Sequence, residues 1–407
     1  MKRNAMKTNI RTTIVILCGL MGLFSACREE MPNMQNPRTD FYIYNWPQLF
    51  ESLWSGLNYN YVFWDIDPTD WDDVYSVYKP RFDSLATATV GFENHEANVV
   101  GLKMLKTLLS HMIDHHMTVQ VSLPEGQYVI TPGDDEVSSR DGYHPRGALN
   151  NYRITTVMEK LKADGRLSHE LWTRQDDDFC CGTEIIDGDI IRLWFNHFLF
   201  TGYIDTENDV TKVLDTYYAL LDTYPDVKGV IIDVRDNGGG YVDDLPLILG
   251  KLIKEDMIFA YSRTKSGIGR LDFSPWIPAT LLKEESRRLL DVPVVVLADM
   301  NSISMCEMTT LVVKEMPQGC FIGERTFGGM GLIKPSNGAF ELTYSGYFEN
   351  NVLMCYTTNT ATKSLDGQIY EGKGIMPVIE VLYDEETLRQ GIDTQLERAI
   401  TYIHTGR

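Results

Sequence analysis

The stretch Val230-Ile231-Ile232-Asp233-Val234-Arg235-Asp236-Asn237-Gly238-Gly239-Gly240 narrows the fold choices for this chain more than any other feature. A short run of branched apolar residues reads as a strand buried on both faces. It runs directly into three glycines. Glycine tolerates positive φ, and without a Cβ it lets backbone N–H groups face a ligand. The turn therefore suits an oxyanion or a phosphate, with a plain tight turn as the alternative. The GxxxxGK[ST] spacing of a phosphate loop is absent.

The surrounding pattern is strand–helix–strand. A strand is expected at Asp189 to Trp194. A helix follows with Val210, Val213, Leu214, Tyr217, Leu220 and Leu221 on one face, closed by Pro225. Pro293 to Ala298 reads as a second buried strand, feeding a helix from Ser304 to Met316, and Cys320 to Gly323 as a third. Antiparallel runs are expected at Ala339 to Phe348 and Val352 to Thr357. Residues 186–407 thus predict a layered α/β core. Upstream, 40–116 reads as a helical domain: Phe50, Leu53, Trp54 and Leu57 recur at helical spacing, Asp70 could cap a segment from Trp71 to Tyr78, and Asn94 or Glu93 opens a stretch with Leu102, Leu105, Leu108, Leu109 and Met112 on one face. Residues 117–185, with alternating Val119, Val121 and Leu123 followed by Pro, Gly, Asp and Asn clusters, read as a β-rich linker region. Hydrophobic residues at 43% and charged residues at 23% are globular values. The net charge of -20 argues against a nucleic-acid partner, which needs a basic surface.

The first 26 residues have signal-peptide grammar. Lys2, Arg3, Lys7 and Arg11 precede an apolar run from Thr12 to Phe24, too short for the roughly 20 residues that span a bilayer. Leu23-Phe24-Ser25-Ala26-Cys27 resembles a bacterial lipobox, which implies lipidation of Cys27. Residues 27–39 are then a polar tether, and the expected location is the cell envelope, lipid-anchored and on the outer membrane because Arg28 is not the retention-type Asp. Contact with a membrane is expected through that anchor only.

Two further polar turns follow strands. At Asp299 to Glu307 a strand ends and a helix begins near Ser304, where free backbone N–H groups and the positive helix end could stabilise an oxyanion. An N-cap serine is the plain alternative. Glu324 to Gly331 lines a cleft or only connects a hairpin.

Four motifs in order carry a resemblance: Asp233-x-Arg235-x-Asn237-x-Gly239-Gly240, Ser302-x-Ser304-x-x-Glu307, Gly323-Glu324-x-Thr326-Phe327-Gly328, and Glu371-Gly372-x-Gly374-Ile375-x-Pro377. Together the chain resembles the carboxyl-terminal-processing and tricorn-core (tail-specific) family of serine peptidases over about 190–385. The resemblance implies a crotonase/ClpP-like spiral β-β-α core, with the helical N-terminal domain and the β-rich insert added to it. It also implies Ser304 as nucleophile and an oxyanion hole from Met305 and an N–H of Gly239 or Gly240. The Ser–Lys branch keeps a lysine where this chain has Gly329. The tricorn-like branch uses a histidine and a glutamate instead, which points to His116 and Glu371. His115 stands where that branch often has serine.

The chemistry of this trio is self-consistent. A serine hydroxyl needs a base near neutral pH, histidine suits that task, and a carboxylate can orient the imidazole. No cofactor and no metal are expected. His111 and His115, four apart with Asp114 and His116 nearby, would be the zinc alternative, but the HExxH grammar is missing. The expected function is hydrolysis of peptide bonds in a peptide or protein substrate through an acyl-enzyme. The alternative from another class is a non-catalytic ligand- or peptide-binding module on the same fold.

Overall fold

The computed structural model describes residues 42–85, 91–148, 151–175, 178–267, 269–333 and 346–407. The expected signal peptide, Cys27 and the tether lie outside the described residues, as does most of the run expected as a strand from Ala339.

Three helices open the described chain: α1 (Trp46–Asn60), α2 (Trp71–Ser84) and α3 (His95–Leu109). Each begins at a side-chain cap. Asn45 accepts from the Gln48 N–H, Asp70 from those of Asp72 and Asp73, and Asn94 from that of Ala97. Their apolar faces meet in one cluster containing Leu49, Phe50, Leu53, Leu57, Trp71, Phe82, Leu105 and Leu109. Strands β1 (Thr118–Leu123) and β2 (Gly126–Ile130) form a hairpin, and alternate residues of β1, Val119 and Val121, close that cluster.

Two strands close the far edge of the main sheet, β3 (Leu167–Arg174) and β4 (Cys180–Ile186). After them come β5 (Ile190–Phe195), helix α4 (Asp209–Thr223), β6 (Gly229–Asp233), β7 (Met257–Thr264), β8 (Ile277–Leu281) and β9 (Val294–Ala298). Helix α5 (Met305–Glu315) leads to β10 (Gly319–Gly323). The chain ends with β11 (Tyr347–Glu349), β12 (Leu353–Tyr356), β13 (Thr360–Ser364), β14 (Ile379–Glu380) and helix α6 (Thr394–Thr405).

Seven strands make the main sheet in the order β14-β10-β9-β6-β5-β4-β3. The neighbours from β14 to β5 pair parallel, and β4 and β3 pair antiparallel. A parallel sheet must be covered on both faces. Val230 and Ile232 of β6 pack with α4 and α5 on one face; Ile231, Val295 and Leu297 pack with α6 on the other. A three-stranded sheet, β13-β7-β8, and a four-stranded sheet, β11-β12-β1-β2, complete the strands. The stretch 117–185, expected as one β-rich insert, is divided among these parts. Its first hairpin belongs to the N-terminal cluster, its middle holds helical turns at Pro132–Ser138 and Tyr152–Ala163, and its last strands extend the main sheet. The adjacent Cys180 and Cys181 are free and buried, as are Cys306, Cys320 and Cys355.

One pairing places the candidate base. β1 runs antiparallel to β12, with Thr118 opposite Tyr356. The residues just before β1, Asp114 to Met117, therefore lie against those just after β12, Thr357 and Thr358.

Candidate active site

Ser304 sits between β9 and α5 with φ +63° and ψ −117°. A residue with a Cβ rarely adopts that conformation and holds it only when neighbours fix it. They do so here. The Ser304 N–H donates to the Gly329 carbonyl at 2.9 Å, and the Ile303 N–H to the Asn237 carbonyl at 3.3 Å. The Ser304 hydroxyl does not cap the helix, which removes the plain N-cap explanation. Ser302, its neighbour in the motif, is fully buried and donates its hydroxyl to the Val234 carbonyl at 2.7 Å. Of the two serines, only Ser304 keeps a hydroxyl that the fold does not consume.

The glycine turn after β6 lies against this serine. Gly239 has φ +80°, and a Cβ there would fall 2.7 Å from the Ser304 Cβ and 3.2 Å from the Met305 nitrogen. The two candidate amides of the pair differ. The Gly239 N–H donates to Asn237 Oδ1 at 2.8 Å, while its carbonyl accepts from the Phe198 N–H. The Gly240 N–H finds no acceptor among the described residues, and neither does that of Met305. Gly240 and Met305, not Gly239, are therefore the amides free to meet an oxyanion. Asn237 holds the turn from below, donating through Nδ2 to the Phe195 carbonyl. The other motif residues are structural. Asp233 pairs with Arg235 and Arg192, and Arg235 reaches on to Asp393.

Glu307, one turn into α5, is fully buried and accepts from Thr326 Oγ1 at 2.5 Å, the Gly328 N–H at 3.0 Å and the Gly329 N–H at 2.7 Å. Burial pushes its carboxyl up to about 7 against the pull of those hydrogen bonds. It thereby fixes the Gly328-Gly329 turn whose carbonyl holds Ser304. Gly329 occupies the lysine position of the Ser–Lys branch. A Cβ there would lie 3.0 Å from Ile303 Cδ1 and 3.3 Å from His116 Nδ1. The space a longer side chain would take is filled by the His116 ring.

His116 belongs to a turn rather than a helix, because α3 ends at Leu109. His111 is exposed, and His115 engages the Phe327 carbonyl through Nδ1 at 3.0 Å, so the helical zinc pair is not formed. Asp114, His116 and Glu371 instead bring a ring nitrogen and two carboxylate oxygens within 4.8 Å of one another. This is the one group of residues described here that could hold a metal ion. Glu371 accepts from the His115 N–H at 3.2 Å and the Gly331 N–H at 2.8 Å. Burial, and then the neighbouring Asp114 charge, push its carboxyl well above the usual range. Burial, reinforced by His115, pushes the His116 imidazole down to about 3, so at neutral pH it is uncharged. His116 Nδ1 is buried without a hydrogen-bond partner among the described residues. Sequence reasoning missed Asp114 and Glu307 as members of the site. The Asp-x-His spacing at 114–116 and the Ser-x-x-Glu spacing at 304–307 were the signals available.

Residues 200–381 match the model of peptidase family S41, and residues 44–89 match the tricorn protease C1 domain. Tricorn protease of Thermoplasma volcanium is 25% identical over 208 residues, which make up 50% of this chain and 17% of that protein. A Parabacteroides merdae protein classed as a peptidase superposes with a TM-score of 0.60 at 22% identity, over 88% of this chain and 96% of that one. Mature CPAF superposes with a TM-score of 0.53 at 12% identity, over 89% and 98%. These two likenesses bear on the fold alone. By these matches the chain carries a segment of peptidase family S41 over residues 200–381 and is similar to the carboxyl-terminal-processing and tricorn-core, or tail-specific, peptidases.

Proposed function

We propose that the protein is a serine endopeptidase whose nucleophile is Ser304 and whose general base is His116. The observation that carries this reading is the Ser304 backbone: a strained elbow at a helix start, with an unspent hydroxyl beside two unspent amides. In the reaction, the Ser304 Oγ attacks the carbonyl carbon of the scissile bond as His116 takes the hydroxyl proton. The carbonyl oxygen becomes an oxyanion facing the Gly240 and Met305 amides. The C–N bond then breaks, and the amine leaves with the proton from His116, giving an acyl-enzyme. Water attacks the ester with the same base and frees Ser304. Glu371 orients the ring.

Gly329 supports the histidine reading over a binding-only module. The absent lysine does not leave a hole, because the His116 ring stands there. The expected substrate is a peptide or protein, and the expected setting is the cell envelope with Cys27 lipidated. Ser304→Ala should abolish cleavage of casein and leave the melting temperature unchanged. Casein cleavage surviving in that variant would remove serine chemistry from this site.

A further inference from the structure

Resting on the serine–histidine reading above, we propose that Asp114 is a positioning residue supplying the fixed negative charge opposite the His116 imidazolium, while Glu371 chiefly orients the ring. The two carboxyl groups share one buried cluster with a single histidine. Two carboxylates so placed do not both hold full charge cheaply. Hydrogen-bond donors decide which one does, since donors stabilise the ionised form.

Asp114 is fully buried and receives four hydrogen bonds. Oδ1 accepts from the His116 N–H at 3.0 Å and Thr358 Oγ1 at 2.8 Å; Oδ2 accepts from Thr357 Oγ1 at 2.5 Å and the Thr358 N–H at 2.7 Å. That fills about four acceptor sites, the capacity of an ionised carboxylate. Glu371 receives only two, one on each oxygen, which leaves each oxygen a lone pair for the ring. Among the described residues, the ionisable groups packed around the pair are Tyr61, His115 and Cys355, with Glu307 beyond Glu371 and Asp67 accepting from the Tyr61 hydroxyl and the Ile113 N–H. Burial keeps Tyr61 and Cys355 protonated and His115 neutral. Arg140, the cation nearest His115, is held by Glu136 and the carbonyls of Thr326 and Phe327. Asp114 is thus the carboxyl built to stay charged when His116 takes the serine proton.

The test is the rate of labelling by a fluorophosphonate probe as a function of pH, for the full chain and for Asp114→Asn, Glu371→Gln and Thr357→Val, with melting temperatures. Removing an opposing charge lowers the histidine pKa. Asp114→Asn should therefore slow labelling about 100-fold and move the acid limb to lower pH. Glu371→Gln should slow it about tenfold and leave the limb in place. Thr357→Val, which removes one donor, should slow labelling a few-fold and move the limb in the same direction as Asp114→Asn. If Asp114→Asn does not fold, Thr357→Val carries the test, and an unmoved limb there overturns the proposal. A larger loss and a moved limb in Glu371→Gln also overturn it. Full-rate labelling of His116→Ala would sink the parent reading instead, whatever Asp114→Asn does.

Discussion

Two buried carboxylate clusters flank the proposed nucleophile and base, and they are built in opposite ways. Asp233, below the glycine turn, is matched by cations. Burial alone would raise its pKa, but the Arg235 and Arg192 guanidinium groups hold it well below the usual range, and Arg235 is itself shared with Asp393. Asp114 and Glu371, beside His116, have no such match, and burial drives both carboxyls up. The first arrangement is complete without a ligand. The second is short of positive charge and gains it when the imidazole takes a proton. A compensated cluster of this kind holds shape, while an uncompensated one is poised for chemistry.

The sharpest way to separate the two clusters is to remove one member of each. His116→Ala should lower turnover by about three to four orders of magnitude with little loss of stability. Arg235→Met should do the reverse in kind, costing about 3–5 kcal/mol of folding free energy, because it strands buried Asp233 and Asp393. Chemical denaturation alongside peptidase assays checks both. Comparable stability losses in the two variants would erase the distinction.

Gly239→Ala comes next in size. The new methyl needs φ +80° and would press on the Ser304 Cβ, so turnover should fall about 100-fold. Melting curves should show a smaller change than for Arg235→Met.

Glu307→Gln probes the hinge between the clusters. A folded-state carboxyl raised to about 7 from 4.5 stabilises the fold below pH 4.5 and loses that contribution as pH rises toward 7. The variant lacks this loss. Its stability relative to the parent should therefore improve by on the order of 1–3 kcal/mol between pH 4.5 and 7.5. Urea titrations at the two pH values measure it; a constant difference would place the Glu307 pKa near normal. Lys373→Ala should do least, changing turnover less than twofold and stability by under about 0.5 kcal/mol, since Lys373 is exposed.

Much of the sheet was legible because its strands are buried on both faces and bounded by glycine or proline. β6, β9 and β10 lie within a residue or two of where the apolar runs predict. β7 and β8 were not, because their half-exposed residues interrupt the alternation. Motifs of a few residues single out Ser304 and His116 as the proposed pair. The roles of Gly239 and Gly240 were not separable, because which amide is spent depends on Asn237 folding back by two residues. Asp114 escaped for a longer-range reason. Its donors Thr357 and Thr358 stand 243 and 244 residues away and arrive only through the pairing of β1 with β12.

The central claim is that Ser304 is a nucleophile activated by neutral His116. The most direct measurement is mass-spectrometric mapping of a fluorophosphonate adduct on the parent protein and on His116→Ala. The account predicts one modified residue, Ser304, in the parent, with the adduct all but lost in His116→Ala. An adduct on another serine, or equal modification of Ser304 in both proteins, would contradict it.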